Sequence, residues 1–309
     1  MVQKNSLNKI LVVCGPTGSG KSALSVELAL KYGGEVVSAD SVAIYKGLDV
    51  GSAKPDSKEK KGVIHHMIDV VTPFDDFSVS DYENMALKAV EDILSRGKLP
   101  IICGGTGFYI NSILYKMSYG KTKGDEKIRQ KYQEMAQNLG NRAVFEVLKN
   151  KDPETAQILH ENDLVRVIRA LEIVESTGVK KSDIKDEKTP RYDFISIMTD
   201  MPRETLYDRI NKRVDIMVEK GIESEVKSLI DKGVTIQNQC MQGIGYKEVY
   251  ESITRGEPFP YELVKMNSRR YAKRQITFFK RNENLYKYNP LLDGEFEKLC
   301  KIIDNFLNF

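Results

Sequence analysis

The run Ile10-Leu11-Val12-Val13-Cys14 stops at Gly15 and opens the octapeptide Gly15-Pro16-Thr17-Gly18-Ser19-Gly20-Lys21-Ser22, after which Leu24, Leu28 and Ala29 recur at helical spacing as far as Tyr32. A short apolar run bounded by glycine predicts a buried strand, so the segment is strand, glycine loop and helix in sequence. The octapeptide fits G-x-x-x-x-G-K-[ST]. In such a loop backbone N–H groups converge on phosphate oxygens at a helix N-terminus, while Lys21 adds a point charge and Ser22 a hydroxyl suited to Mg²⁺. The motif specifies phosphate or pyrophosphate and nothing finer.

Further strands are predicted over residues 35–38, 99–103 and 193–199, alternating with helices. One helix is expected to open at a capping box over residues 80–83 and run to about Arg96; another is expected to start at Pro202 and bury Leu206, Ile210, Val214 and Met217. Strands alternating with helices imply an α/β fold with a parallel, doubly wound sheet. Between residues 116 and 189 apolar residues recur only at helical spacing, as in Leu164, Ile168 and Leu171. That stretch is read as a helical insertion domain, leaving residues 1–115 and 190–309 as the P-loop core with its C-terminal helices.

Open α/β sheets bind ligands at the carboxyl ends of their strands, where residues 38–41 contribute Asp40, a carboxylate able to hold Mg²⁺ or accept a proton. The strand over 99–103 runs into Gly104-Gly105-Thr106-Gly107 in place of a Walker B aspartate, which brings Thr106 to the same crevice and argues against a water-activating NTPase. Arg209 and Arg213, one helical turn apart, are candidates to meet a developing pyrophosphate charge. His65 and His66 are adjacent, point to different sides of any regular element, and are read as structural. Cys14 and Cys103 are read as core residues.

Lys and Arg number 47 against 44 Asp and Glu, so a net charge of +3 names no partner by itself. The charge is instead local. Residues 265–281 hold Lys265, Arg269, Arg270, Lys273, Arg274, Lys280 and Arg281 without one acid, two positive rows on a helix that favour a polyanion. The four cysteines form no C-x-x-C pair, and no apolar run approaches the roughly 18 residues of a membrane span. With no signal-peptide core at Met1, the chain is expected to be a cytoplasmic monomer without a membrane partner.

Taken together, these segments resemble the bacterial tRNA dimethylallyltransferases, also called tRNA isopentenyltransferases. The resemblance rests on the P-loop, on residues 39–55 (ADSVAIYKGLDVGSAKP), on His65-His66-Met67-Ile68-Asp69, on Gly104-Gly105-Thr106-Gly107, on Asn162-Asp163 through Arg166 with residues 169–172, on Gly243-Ile244-Gly245-Tyr246-Lys247-Glu248 and on residues 270–275. It implies transfer of a dimethylallyl group from dimethylallyl diphosphate to N6 of the adenosine 3′ of the tRNA anticodon, with Mg²⁺ as cofactor. It also implies that residues 17–22 hold the diphosphate, and that Asp40, Ser41, Val42, Ala43 and Thr106 meet a flipped adenine, with Asp40 as base. Arg166, Arg270, Lys273 and Arg274 would contact tRNA, and the insertion would clamp the anticodon stem-loop. Members often carry Gln where this chain has Ala43, and Trp where it has Phe278. Two other classes share parts of the pattern. A small-molecule kinase would use the P-loop with Asp40 as base but needs ATP, and a non-catalytic RNA-binding module would use a nucleotide as a switch.

Overall fold

The structure is a computed structural model that describes residues 7–117, 124–184, 189–282 and 285–308. The chain forms two compact units, Met1–Leu114 with Pro190–Phe309, and Tyr115–Thr189.

The first unit begins with β1 (Lys9–Cys14), α1 (Lys21–Tyr32), β2 (Gly34–Ala39), α2 (Ser57–Lys60), β3 (His65–His66), α3 (Val79–Ser95), β4 (Leu99–Gly104) and α4 (Gly107–Leu114). The second unit is α5 (Glu126–Leu139), α6 (Asn141–Lys151), α7 (Pro153–Ile158) and α8 (Leu164–Thr177), packed on Tyr132, Val144, Leu148, Val167 and Leu171. The first unit then resumes with β5 (Asp193–Thr199), α9 (Arg203–Glu219), α10 (Ile222–Asp231), α11 (Tyr246–Arg255), α12 (Tyr261–Phe279), β6 (Leu285–Tyr288) and α13 (Glu295–Leu307).

The sheet is parallel throughout, in the order β3-β2-β4-β1-β5-β6. β1 and β4 lie inside it with helices on both faces, which is why Ile10, Leu11, Val12, Val13, Ile101 and Ile102 are buried without alternation. The register puts Cys14 opposite both Gly104 and Met198, and Ala39 opposite Gly104. Four strands therefore end level, and the loops that follow them share one edge.

Two local expectations need correction. The capping box of α3 is Ser78 with Asp81, not a box over residues 80–83: Ser78 Oγ accepts from the Asp81 amide at 3.2 Å and Asp81 Oδ2 from the Ser78 amide at 2.9 Å. The two-residue β3 and the four-residue β6 are additional strands, too short for an apolar period to mark them. Within the expected insertion, residues 118–123 and 185–188 lie outside the described residues.

Candidate active site

The level strand ends border a cavity of about 300 Å³. β1 hands over directly to the phosphate loop, whose Thr17, Lys21 and Ser22 face the cavity. The rest of the loop is its frame. Ser19 Oγ donates to the Pro16 carbonyl at 2.7 Å and meets the Thr199 hydroxyl at the end of β5, while Lys21 Nζ donates to the same Pro16 carbonyl at 3.1 Å. Gly20 caps α1 in the left-handed region.

β2 delivers Asp40, whose Oδ1 accepts from the Val42 and Ala43 amides at 2.9 and 3.1 Å. This bond pair turns the chain, so that Ser41, Val42 and Ala43 line the cavity beside Asp40. Asp40 Oδ2 accepts no hydrogen bond among the described residues. β4 delivers the glycine turn, where Thr106 Oγ1 accepts from the Ser41 amide at 3.2 Å and the Thr106 amide donates to the Ala39 carbonyl at 3.1 Å. Thr106 thus braces the Asp40 loop from outside the cavity lining.

α9 and α12 supply the opposite wall. Arg213 lines the cavity and donates from Nη2 to the Ser52 carbonyl at 2.9 Å. Arg209 is not in the lining; it stands against the phosphate loop, where a methyl group on Gly20 would lie 3.8 Å from its Nη1. On α12, Arg274 lines the cavity, with its guanidinium over the Tyr271 ring at 5.5 Å. The positive rows expected on this helix are divided. Lys265 pairs with Asp215 at 2.7 Å and Arg269 donates to Asn211 at 2.6 Å, both on α9, whereas Arg270, Lys273 and Arg274 are exposed. The segment holds no acid of its own, but the neighbouring helix provides partners for its first turns. Arg166 belongs to the second unit, 67% exposed and 3.3 Å from Asp163.

Burial lowers the pKa of Lys21, and the positive charge of Arg213 adds to the shift while Asp40 opposes it. Burial also lowers Arg213, with Asp40 opposing. Tyr271 is pushed up to about 12, by burial first and then by Asp40, so its phenol stays protonated. Among the described residues Asp40 is the one carboxylate lining the cavity, against Lys21, Lys54, Arg213 and Arg274. Lys54 is committed to Asp49 and Asp69 at 2.7 and 2.6 Å. Two poorly hydrated cations without full compensation make an anion site.

The family described as IPP transferase matches residues 43–282, which include α9 and α12 and begin after the phosphate loop and Asp40. The chain belongs to the IPP transferase family. Similar proteins include a tRNA dimethylallyltransferase of Acetivibrio thermocellus, 46% identical over 305 residues that cover 97% of this chain and 96% of that one. Another, from Caldanaerobacter subterraneus subsp. tengcongensis, is 45% identical, with 94% and 98% covered. Among solved structures, the tRNA isopentenylpyrophosphate transferase of Bacillus halodurans matches with a TM-score of 0.74 at 37% identity, covering 97% of each chain. A eukaryotic dimethylallyltransferase acting on tRNA matches at 0.80 and 30%, covering 97% of this chain and 80% of that one.

As an IPP transferase the chain carries site residues that sequence reasoning left without a role. His65, read as structural, lines the cavity with its Nδ1 3.0 Å from the Val63 carbonyl, while His66 Nε2 contacts Glu35 at 2.7 Å. Cys103 is both core and cavity wall. Gln275 lines the cavity and is 5% exposed. Its signal was present: Ala272, Gln275 and Phe279 fall on one buried stripe of α12, and a polar residue on such a stripe needs a partner. No helix among the described residues is long and apolar enough to cross a membrane.

Proposed function

We propose that this IPP transferase moves a dimethylallyl group from dimethylallyl diphosphate to N6 of the adenosine immediately 3′ of the tRNA anticodon, releasing pyrophosphate. The observation that carries this reading is the placement of two half-buried cations, Lys21 and Arg213, in one cavity with a single carboxylate, Asp40. The relatives' names, which specify tRNA and a dimethylallyl or isopentenyl donor, supply the substrate classes.

The chemistry follows from the charges. The bond from the allylic carbon to the diphosphate oxygen breaks with its electron pair leaving on oxygen, while the N6 lone pair forms the new carbon–nitrogen bond. Negative charge grows on the diphosphate where the phosphate-loop amides, Lys21 and Arg213 converge, an electrostatic contribution that is larger away from bulk water. Alkylation makes the N6 proton acidic, and Asp40 Oδ2 is the acceptor, its Oδ1 being held by two amides. The absence of a second carboxylate in the lining suits departure of pyrophosphate better than activation of water. An adenine stacked in a loop must turn out to enter, at a cost of a few kcal/mol that is smallest in single-stranded RNA.

Ser22 fits Mg²⁺, since its hydroxyl lines the cavity beside Lys21 and would offer a hard oxygen donor to an ion shared with diphosphate oxygens. Such an ion would add positive charge opposite the leaving group. No cluster of three His, Cys, Asp or Glu that could hold a metal ion is present among the described residues. Arg270, Lys273 and Arg274 on α12, and Arg166 on the helical unit, are proposed RNA contacts. Four free buried cysteines suit a reducing cytoplasm.

Incubating the protein with labelled dimethylallyl diphosphate and bulk tRNA tests the reading. Label is expected in RNA, in a single modified adenosine. Unlabelled RNA together with phosphate transfer from ATP to a small molecule would establish a kinase instead.

A further inference from the structure

The loop that bears Ser52 is held in an unusual way. Glu225 on α10 accepts from three consecutive backbone amides: Oε2 takes Asp49 and Val50, each at 2.8 Å, and Oε1 takes Gly51 at 3.3 Å. Oε1 also accepts from the Tyr246 hydroxyl at 2.6 Å, and that same hydroxyl accepts from the Ser52 amide at 3.2 Å. The ring of Tyr246 lies so close to the loop that a Cβ on Gly51 would approach it to 2.5 Å, so only glycine fits. Convergent amides of this kind ordinarily form a nest for an external anion. Here an internal carboxylate fills it, with bonds strengthened by its charge. Burial and the neighbouring Glu225 charge hold the Tyr246 phenol well above its ordinary pKa, so it remains a donor.

The next carbonyl along this loop, that of Ser52, accepts from Arg213 Nη2. Among the described residues no carboxylate forms an ion pair with Arg213, and the Ser52 carbonyl is its hydrogen-bond acceptor. Its direction in the cavity is therefore set by a backbone carbonyl, and the position of that carbonyl is set by Glu225 and Tyr246.

We infer that Glu225, with Tyr246, is a positioning residue that aims Arg213 at the phosphate-binding end of the cavity through the clamped loop of residues 49–52. The inference deepens the proposed transferase reading and rests on it for the identity of the anion. It predicts that the two side chains act through Arg213 and not independently of it.

The test is a double-mutant cycle on the full-length protein, read first as the affinity for inorganic pyrophosphate by calorimetry. E225Q keeps the size of the side chain but turns an NH₂ group toward donors, and Y246F removes the shared hydroxyl. Each is expected to weaken pyrophosphate about fivefold or more in the parent background, and by less than about twofold when Arg213 is already Ala. In the transfer assay the same variants should raise the donor KM with tRNA affinity unmoved. A purely structural role lowers Tm alike in both backgrounds and makes the losses in affinity multiply; that outcome, or parent-like binding in E225Q, overturns the inference. Should E225Q not fold, Y246F carries the cycle alone. A parent protein that binds pyrophosphate but labels no tRNA sinks the transferase reading, while the cycle still decides the role of Glu225.

Discussion

Gln275 Oε1 accepts a hydrogen bond of 2.9 Å from the backbone amide of Thr17, across 258 residues of chain. Its Nε2 donates at 3.0 Å to the carbonyl of Gly105, so one buried amide ties the phosphate loop to the glycine turn after β4. A side chain at Gly105 would occupy the place of that amide. The helix that offers exposed positive charge thus also fixes the phosphate loop proposed to take the diphosphate.

Replacing Gln275 separates the two bonds. Gln275→Ala leaves a buried donor and acceptor unpaired and should cost about 1–3 kcal/mol of stability. Gln275→Glu keeps an acceptor for Thr17 but places a carboxylate beside an anion site, so pyrophosphate affinity should fall more than about tenfold, or about 1.4 kcal/mol. Calorimetric titration of both variants checks this, and a Glu variant that binds like the parent removes Gln275 from the cradle.

Asp40 caps the turn through its Oδ1 and is the proposed base, and the two roles can be told apart. Asp40→Asn retains an oxygen for the Val42 and Ala43 amides while losing basicity; it should fold and bind donor normally, with transfer slowed by roughly 10²-fold or more. Asp40→Ala should lose about a further 1 kcal/mol of stability with the cap. Single-turnover rates and thermal melts read the two effects separately. Near-parental turnover in the Asn variant would leave only the cap.

The division of the basic helix predicts unequal salt dependence. Removing Arg270 and Lys273 should lower the slope of log tRNA affinity against log salt by about 0.7–0.9 per charge. Lys265→Ala should leave that slope unchanged, because its ammonium is already paired with Asp215. Filter binding across a salt series decides, and a change at Lys265 as large as at Lys273 would contradict the division.

In the helical unit, Glu175 accepts from Tyr132 at 2.6 Å and Lys151 at 2.8 Å, with Lys131 at 3.2 Å. Burial by itself raises its pKa, but these partners outweigh that and bring it from 4.5 down to about 2. The unfolded chain then binds the proton more tightly than the folded one, so stability is greatest above about pH 4.5 and declines as pH falls toward about 2. The loss is on the order of 2–3 kcal/mol. Hydrogen exchange of α5–α8 across this range should show the slope, and Glu175→Gln should flatten it.

The apolar runs of β1, β4 and β5, the phosphate loop and the buried stripe of α9 were legible because each is a local pattern. Leu206, Ile210, Val214 and Met217, named from spacing, are the buried residues of α9. What stayed hidden was relational. Nothing near Lys265 or Arg269 in sequence reveals Asp215 and Asn211, which reach them only when α9 and α12 pack. Glu225 reads as one more acid on an amphipathic helix until the fold sets three amides against it. His65 lacks a strand signal because β3 has only two residues.

β1 is the inner strand on which the phosphate loop hangs, yet its second neighbour, β5, begins only at Asp193. A chain emerging from the ribosome therefore carries β1 with one open edge while the whole of residues 115–189 is made, a unit whose helices find their partners close by in sequence. Unpaired strand edges recruit other chains. Nascent chains halted before residue 193 should consequently be the aggregation-prone ones, and the frame of the phosphate loop, waiting for Thr199 and then for Gln275, is among the last parts of the molecule to be completed.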